Sequence, residues 1–399
     1  MSRSSSKASG TTTATTAPPA TTATPVPDFL DVDDLIADQR IRIVVVCGAG
    51  GVGKTTSAAA LALRAAEAGR KVVVLTIDPA RRLAQSLGVA ELDNTPRPVR
   101  GLDTDSGGSL DAMMLDMKRT FDEVVLAHST PETAGSILEN PFYVALSSQF
   151  AGTQEYMAME KLGQLHAEAV ETSSWDLIVV DTPPARSALD FLDAPEHLSS
   201  LLDGRFLKVL LAGARGPFRL VSVGFNLVAG ALNKILGGRL LTDLQTFIAA
   251  FEAIFGGFRQ RAEQTFQLLA SPQTTFLVVA TPQRDALREA AYFVDRLNEE
   301  GMPLAGVVVN RVNRSTLDAS AERAVSVAED LDPDTQAAEI AALRQHADLV
   351  RVIENEQLLL DRFAARRTTV ARTLVTALPS DVTDIGSLRR VGALLAASD

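Results

Sequence analysis

Short apolar runs, most of them rich in β-branched residues, recur along the chain: Ile41–Cys47, Val72–Ile77, Ala112–Leu115, Leu177–Val180, Phe276–Ala280, Val307–Val309 and Leu374–Leu378. Continuous runs of this length suit strands covered on both faces, where every side chain meets a helical layer. Helical patterns separate most of them, as in Thr55–Ala68 and Arg284–Glu300. Alternation of strand and helix predicts an α/β fold with a doubly wound, mostly parallel sheet. Residues 196–262 break the rhythm, with apolar residues at helical spacing, Gly and Pro interruptions and no convincing strand, which predicts a helical insertion. Residues 1–27 are Ser, Thr, Ala and Pro with almost no large apolar group, so they cannot offset their ordering entropy and read as a disordered tail. The remainder, 28–399, reads as one domain, with a mobile loop at 101–109 and a loosely ordered polar insertion at 313–340.

Composition narrows the picture only slightly. The chain has 399 residues, 46% hydrophobic and 22% charged, enough for a large core. A net charge of −11 argues against nucleic acid as a general partner. The single cysteine, Cys47, allows no internal disulfide and no zinc site of paired cysteines, and its place at the end of an apolar run predicts a small buried hydrophobe. No stretch reaches ~18 uninterrupted apolar residues, and the first residues lack the apolar core of a leader, so the expectation is a cytoplasmic protein that can touch a membrane only peripherally.

Chemistry enters at Gly48-Ala49-Gly50-Gly51-Val52-Gly53-Lys54-Thr55, which fits the phosphate-binding pattern G-x-x-x-x-G-K-[ST] between a predicted strand and a predicted helix. Glycines allow the backbone to approach an anion and turn its N–H groups inward, and the helix start adds its dipole. Gly50, Gly51, Val52 and Gly53 would cradle the phosphates, Lys54 would reach the β- and γ-phosphates, Thr55 would coordinate Mg²⁺, and Thr56 would contact the α-phosphate. Asp181, at the end of a second apolar run, fits the acidic group that holds Mg²⁺ through water. Asp78 precedes Pro79; it suits a helix N-cap and equally a group that orients a water toward the γ-phosphate, and both readings can hold together.

Gly48–Thr56, Thr76–Ala80, Asp181–Pro184 and Val307–Asn310 stand in the order found in the arsenite-pump ATPase family, which includes the ATPase that targets tail-anchored membrane proteins. The chain resembles these deviant Walker A proteins over about residues 40–310 and more weakly over 374–392, and is most similar to one of the paired actinobacterial paralogues. The resemblance implies ATP and Mg²⁺ as ligands, residues 76–80 and 181–186 as switches, Asp78 and Lys54 as catalytic groups, Asn310 as an adenine-binding residue and Pro379, in Leu378-Pro379-Ser380, as part of the loop over the base. It also implies a dimer. The family's motif starts G-K-G-G, its first lysine reaching the opposite protomer, but here that position is Ala49. A symmetric homodimer would lack both trans cations, so the expectation is a heterodimer with a lysine-bearing paralogue. The C-x-x-C zinc clamp of some relatives and any cysteine cluster for arsenite are absent.

Residues 204–242 carry Arg205, Lys208, Arg215, Arg219, Lys234 and Arg239 and no acidic residue. With its many apolar residues this segment suits a hydrophobic client or a membrane surface; a helical subdomain packed on the sheet, or a dimer contact, fits as well. The leading expectation is an ATP-driven dimeric switch that handles such a client. An ATP-binding regulatory subunit with little turnover, and a positioning ATPase of the chromosome- or septum-placing type, are the alternatives.

Overall fold

The computed structural model describes residues 29–78, 82–140, 143–144, 147, 153–183, 257 and 260–397, with the side chains of 153–155 excepted. The predicted tail, 1–27, lies outside the described residues. So do residues 196–256 of the predicted insertion, the whole basic–apolar stretch 204–242 among them, and Pro79, Ala80 and residues 184–186 of the predicted switches.

Among the described residues, eight strands form one sheet in the order β3-β4-β2-β5-β1-β6-β7-β8. They are β1 (Ile43–Gly48), β2 (Lys71–Thr76), β3 (Arg97–Pro98), β4 (Ser109–Met114), β5 (Leu177–Asp181), β6 (Thr274–Ala280), β7 (Leu304–Val312) and β8 (Arg372–Thr376). Every pairing is parallel except the short β3 against β4. The doubly wound parallel sheet read from the apolar runs is therefore the fold. Only β3 was not foreshadowed, since its two residues, Arg97 and Pro98, are exposed and carry no apolar signal.

Residue alternation explains why the runs are apolar throughout. Ile43, Val45 and Cys47 face one layer and Val44 and Val46 the other. The first layer is built by α4 (Met117–Ala127), α6 (Thr153–Thr172), α7 (260–269) and α8 (Arg284–Glu299), through Phe121, Met157, Leu269 and Phe293. The second is built by α1 (Val32–Ala37), α2 (Lys54–Glu67), α3 (Arg82–Ser86) and α11 (Ile385–Ala396), through Leu35, the alanine-rich face of α2, Leu83 and Val391. Cys47 is buried as expected, and burial pushes its thiol up to about 12, which keeps it protonated and inert. One more helix, α5 (Pro131–Leu138), follows α4.

Two local readings change. Residues 313–340 are not a loose insertion: α9 (Ala321–Asp330), capped by Ser320, packs antiparallel-style against the start of α10 (Ala337–Arg366) around Ala321, Ala324 and Ala347. Val325, Leu343 and Val350 pack against these alanines only partly buried, so the seam is narrow and leaves a weak apolar stripe among charged residues. Farther along α10, the Glu356 carboxylate accepts from Asn313 backbone N at 3.0 Å and Nδ2 at 2.6 Å, tying the helix to the end of β7. Residues 101–109, read as mobile, are tied down: Ser106 Oγ donates to the Glu67 carbonyl at 2.8 Å, and a Cβ at Gly108 would lie 1.9 Å from the Ala66 carbonyl oxygen.

Arg70 holds the opposite end of the sheet from the P-loop. Its side chain is 3% exposed, pairs with Asp176, and donates to the carbonyls of Ile36, Ile41 and Asp176. Removing one partner of such a buried pair leaves the other charge and several carbonyls without donors. Arg70→Ala should therefore destabilise the chain by roughly 3–5 kcal/mol, read as a lower urea midpoint, whereas a loss under ~1 kcal/mol would show the knot to be decorative.

Candidate active site

The P-loop follows β1, and β1 lies between β5 and β6. The chain leaves β1 through α2 and returns to β2, which lies beyond β5, so a crevice opens at the carboxyl ends of these strands, where ligands of such sheets bind. Gly50 and Gly51 are exposed, while Val52 is buried. Gly51 and Gly53 take φ of 77° and 101°, the left-handed region that side chains resist. Gly53 is the N-cap of α2 and has no side chain to cap the helix's first amides.

Lys54 is buried, and its Nζ donates to the Ala49 carbonyl at 2.8 Å. Burial lowers its pKa, while the charge of Asp181, and behind it those of Asp78 and Glu289, pulls the other way. Asp181, last residue of β5, is fully buried. One carboxylate oxygen, Oδ2, accepts from Thr55 Oγ1 at 2.8 Å and Thr76 Oγ1 at 2.9 Å. The other, Oδ1, is buried with no hydrogen-bond partner. Burial raises the Asp181 pKa to about 6, against the hydroxyls of Thr55 and Thr76 and the charge of Lys54; the like charge of Asp78 adds to the rise.

The structure thus brings Lys54, Thr55, Asp181 and Asp78 to one place, though Thr55 and Asp181 are 126 residues apart in the chain. Thr56 follows on the first turn of α2 and is partly exposed. Asn310, near the end of β7, reaches the P-loop itself, with Nδ2 donating to the Val52 carbonyl at 2.8 Å. Pro379 follows β8, which pairs with β7, and is exposed at the same end of the sheet. Thr76, read only as the first residue of the 76–80 switch, also holds Asp181, a role the sequence reading did not give it. Glu289, exposed on α8 yet felt by Lys54, had no signal at all.

The donors fit a small hard cation. They are a threonine hydroxyl and a carboxylate with an open oxygen, and oxygen ligands of this type suit Mg²⁺. Among the described residues no group of three or more His, Cys, Asp or Glu could hold a metal alone. Phosphate oxygens and waters would have to complete the shell, the usual arrangement for Mg²⁺ beside a nucleotide.

A carboxylate whose pKa is raised by folding favours the folded state while it stays protonated. That contribution is complete below its ordinary value of 3.8 and is lost as pH rises through about 6. Relative to Asp181→Asn, the ligand-free chain should lose on the order of 2–3 kcal/mol of unfolding free energy over this window. Urea titrations of both chains at stepped pH measure the difference, and a flat difference would mean that Asp181 does not feel its burial.

The model of the anion-transporting ATPase family matches residues 41–327. Among curated proteins the chain is similar to the ATPase GET3 of Ajellomyces dermatitidis, 25% identical over 294 residues that cover 73% of this chain and 79% of that protein. It is similar to the ATPase get3 of Neurospora crassa, 26% identical over 280 residues, 69% and 75% of the two chains. It is also similar to the ATPase ASNA1 homolog 1 of Paramecium tetraurelia, 23% identical over 300 residues, 70% and 77%. With the family's model matched from the first core strand through β7 and into α9, and with the P-loop built as described, this chain belongs to the anion-transporting ATPase family and is an ATPase.

Proposed function

We propose that the chain is one protomer of a dimeric switch, in which ATP binding and hydrolysis control contact with a hydrophobic client or a membrane-associated partner. The observation that carries the reading is the buried Asp181 carboxylate, with one oxygen held by Thr55 and Thr76 and the other open, beside Lys54. Such an arrangement is costly to fold and suits a nucleotide with its metal. Gly50–Gly53, Lys54, Thr55 and Thr56 would hold the phosphates. Asp181 and Thr55 would hold Mg²⁺, which when bound draws charge from the phosphate oxygens. Asp78 would accept a hydrogen bond from the attacking water and point its oxygen at the γ-phosphate. Because Asp78 lies just beyond β2 and Asp181 ends the adjacent β5, a change at the γ-phosphate would be felt by the segments that follow both, and through the second by residues 204–242.

Two features bear on partnership. Ala49 is buried against the apolar layer and carries no cation to offer across an interface. A paralogue with lysine there would supply the missing charge to this chain's site, so the heterodimer is favoured over the homodimer. The same alanine also supports the alternative of a regulatory subunit that binds ATP with little turnover. As for a membrane, no helix among the described residues is long and apolar enough to cross one.

Turnover of the purified chain separates these readings. Asp78→Asn should lower kcat by roughly a hundredfold or more while leaving the ATP-induced rise in melting temperature, and Lys54→Ala should abolish that rise. Adding a lysine-bearing paralogue should raise turnover of the wild-type chain. Brisk hydrolysis by the isolated chain would sink the missing-cation argument, and an Asp78→Asn chain as fast as wild type would remove Asp78 from the chemistry.

A further inference from the structure

Asn310 is engaged in a way that base recognition does not require. The β7–β8 register shifts between Asn310 and Val312, and Arg311 at the shift has φ of 61°, a left-handed conformation uncommon for a residue with a side chain. That bulge turns the Arg311 N–H back onto Asn310 Oδ1 at 2.9 Å. With Oδ1 accepting there, the amide's nitrogen is the atom presented to the P-loop, and Nδ2 donates to the Val52 carbonyl at 2.8 Å. The same nitrogen lies on the bare face of Gly53, where a Cβ would come within 2.2 Å of it.

The Val52–Gly53 peptide is trans, as are all the described peptide bonds. In a trans peptide the carbonyl and the following N–H point in opposite directions. Holding the Val52 carbonyl toward Asn310 therefore aims the Gly53 N–H away from it, and prevents the carbonyl from swinging round to face an anion. A carbonyl turned into a phosphate cradle would repel the ligand, so the orientation of this one peptide matters to affinity.

We propose that Asn310 is a positioning residue for phosphate binding: it braces the Val52–Gly53 peptide so that the P-loop is formed before the nucleotide arrives. This inference rests on the reading of the loop as the nucleotide's phosphate site, and adds to Asn310 a role independent of the base. It predicts that a ligand with no base at all will feel the residue. Removing a single orienting hydrogen bond should weaken such a ligand about tenfold.

The test uses the full chain with Mg²⁺-tripolyphosphate and MgATP as separate probes in calorimetric titrations, for wild type, Asn310→Ala and Asn310→Ser. Serine keeps a hydroxyl but lacks the reach to Val52, and it carries the comparison should the alanine chain not fold. Melting temperatures without ligand report any general loss of stability. The expected result is a loss of about tenfold for Mg²⁺-tripolyphosphate, which has no base, and a loss at least as large for MgATP. Loss confined to MgATP, with tripolyphosphate binding intact, would overturn the brace and leave Asn310 to the base alone. Unchanged affinity for both would overturn either role. A wild-type chain that binds neither probe would instead refute the phosphate site beneath the proposal.

Discussion

Burial of charge at the carboxyl ends of β1 and β5 governs this molecule. Lys54 and Asp181 sit where water is nearly excluded, and each pays for desolvation: the ammonium's pKa falls and the carboxylate's rises to about 6. A protein selected for stability alone would fill these positions with apolar residues. The chain keeps them, and then holds the carboxylate with two threonine hydroxyls on only one of its oxygens. An arrangement left incomplete on that side is suited to a ligand that brings its own charge and its own metal.

Sheet topology makes the arrangement possible. The P-loop, Asp78 and Asp181 follow three strands that lie side by side in the order β2-β5-β1, although the chain visits them as β1, β2, β5. Register brings the ends level, with Thr76 opposite Asp181 and Val46 beside Asp181. Thr182 then ties the next segment back, donating from Oγ1 to the Val46 carbonyl at 2.9 Å. The residues that would sense the phosphate therefore begin from fixed points on a rigid sheet, and any motion must start just beyond them.

Much of this was legible in the residues. Fully buried parallel strands announce themselves by unbroken apolar runs, and the phosphate motif between a strand and a helix located the site. What escaped was chemistry without a pattern. Thr76 looks like any strand threonine until Asp181, 105 residues later, is set beside it. The α9–α10 hairpin escaped because its seam is narrow, three buried alanines with Val325, Leu343 and Val350 only partly covered, while its other faces are charged and exposed. Asn310, read as an adenine-binding residue, lies against the P-loop, but its hold on the Val52 carbonyl depends on the bulge at Arg311, and a bulge is a register event between two strands that a single strand's residues do not encode.

Two carbonyls of the P-loop are held by side chains. Lys54 takes that of Ala49, and Asn310 takes that of Val52. Between them the backbone passes through Gly51, and just beyond them through Gly53, both at positive φ, a conformation a flexible loop would not keep unaided. Unbraced, the loop would have to lose that freedom when the ligand arrives, and affinity would fall by the entropy spent. Lys54 cannot serve as the lasting brace, because the same ammonium would be drawn to the phosphates once they are present. Asn310 is neutral and anchored on β7, so its hold survives that change. The division places the constant part of the grip on the sheet and the responsive part on the lysine, which is the arrangement a nucleotide-dependent switch requires.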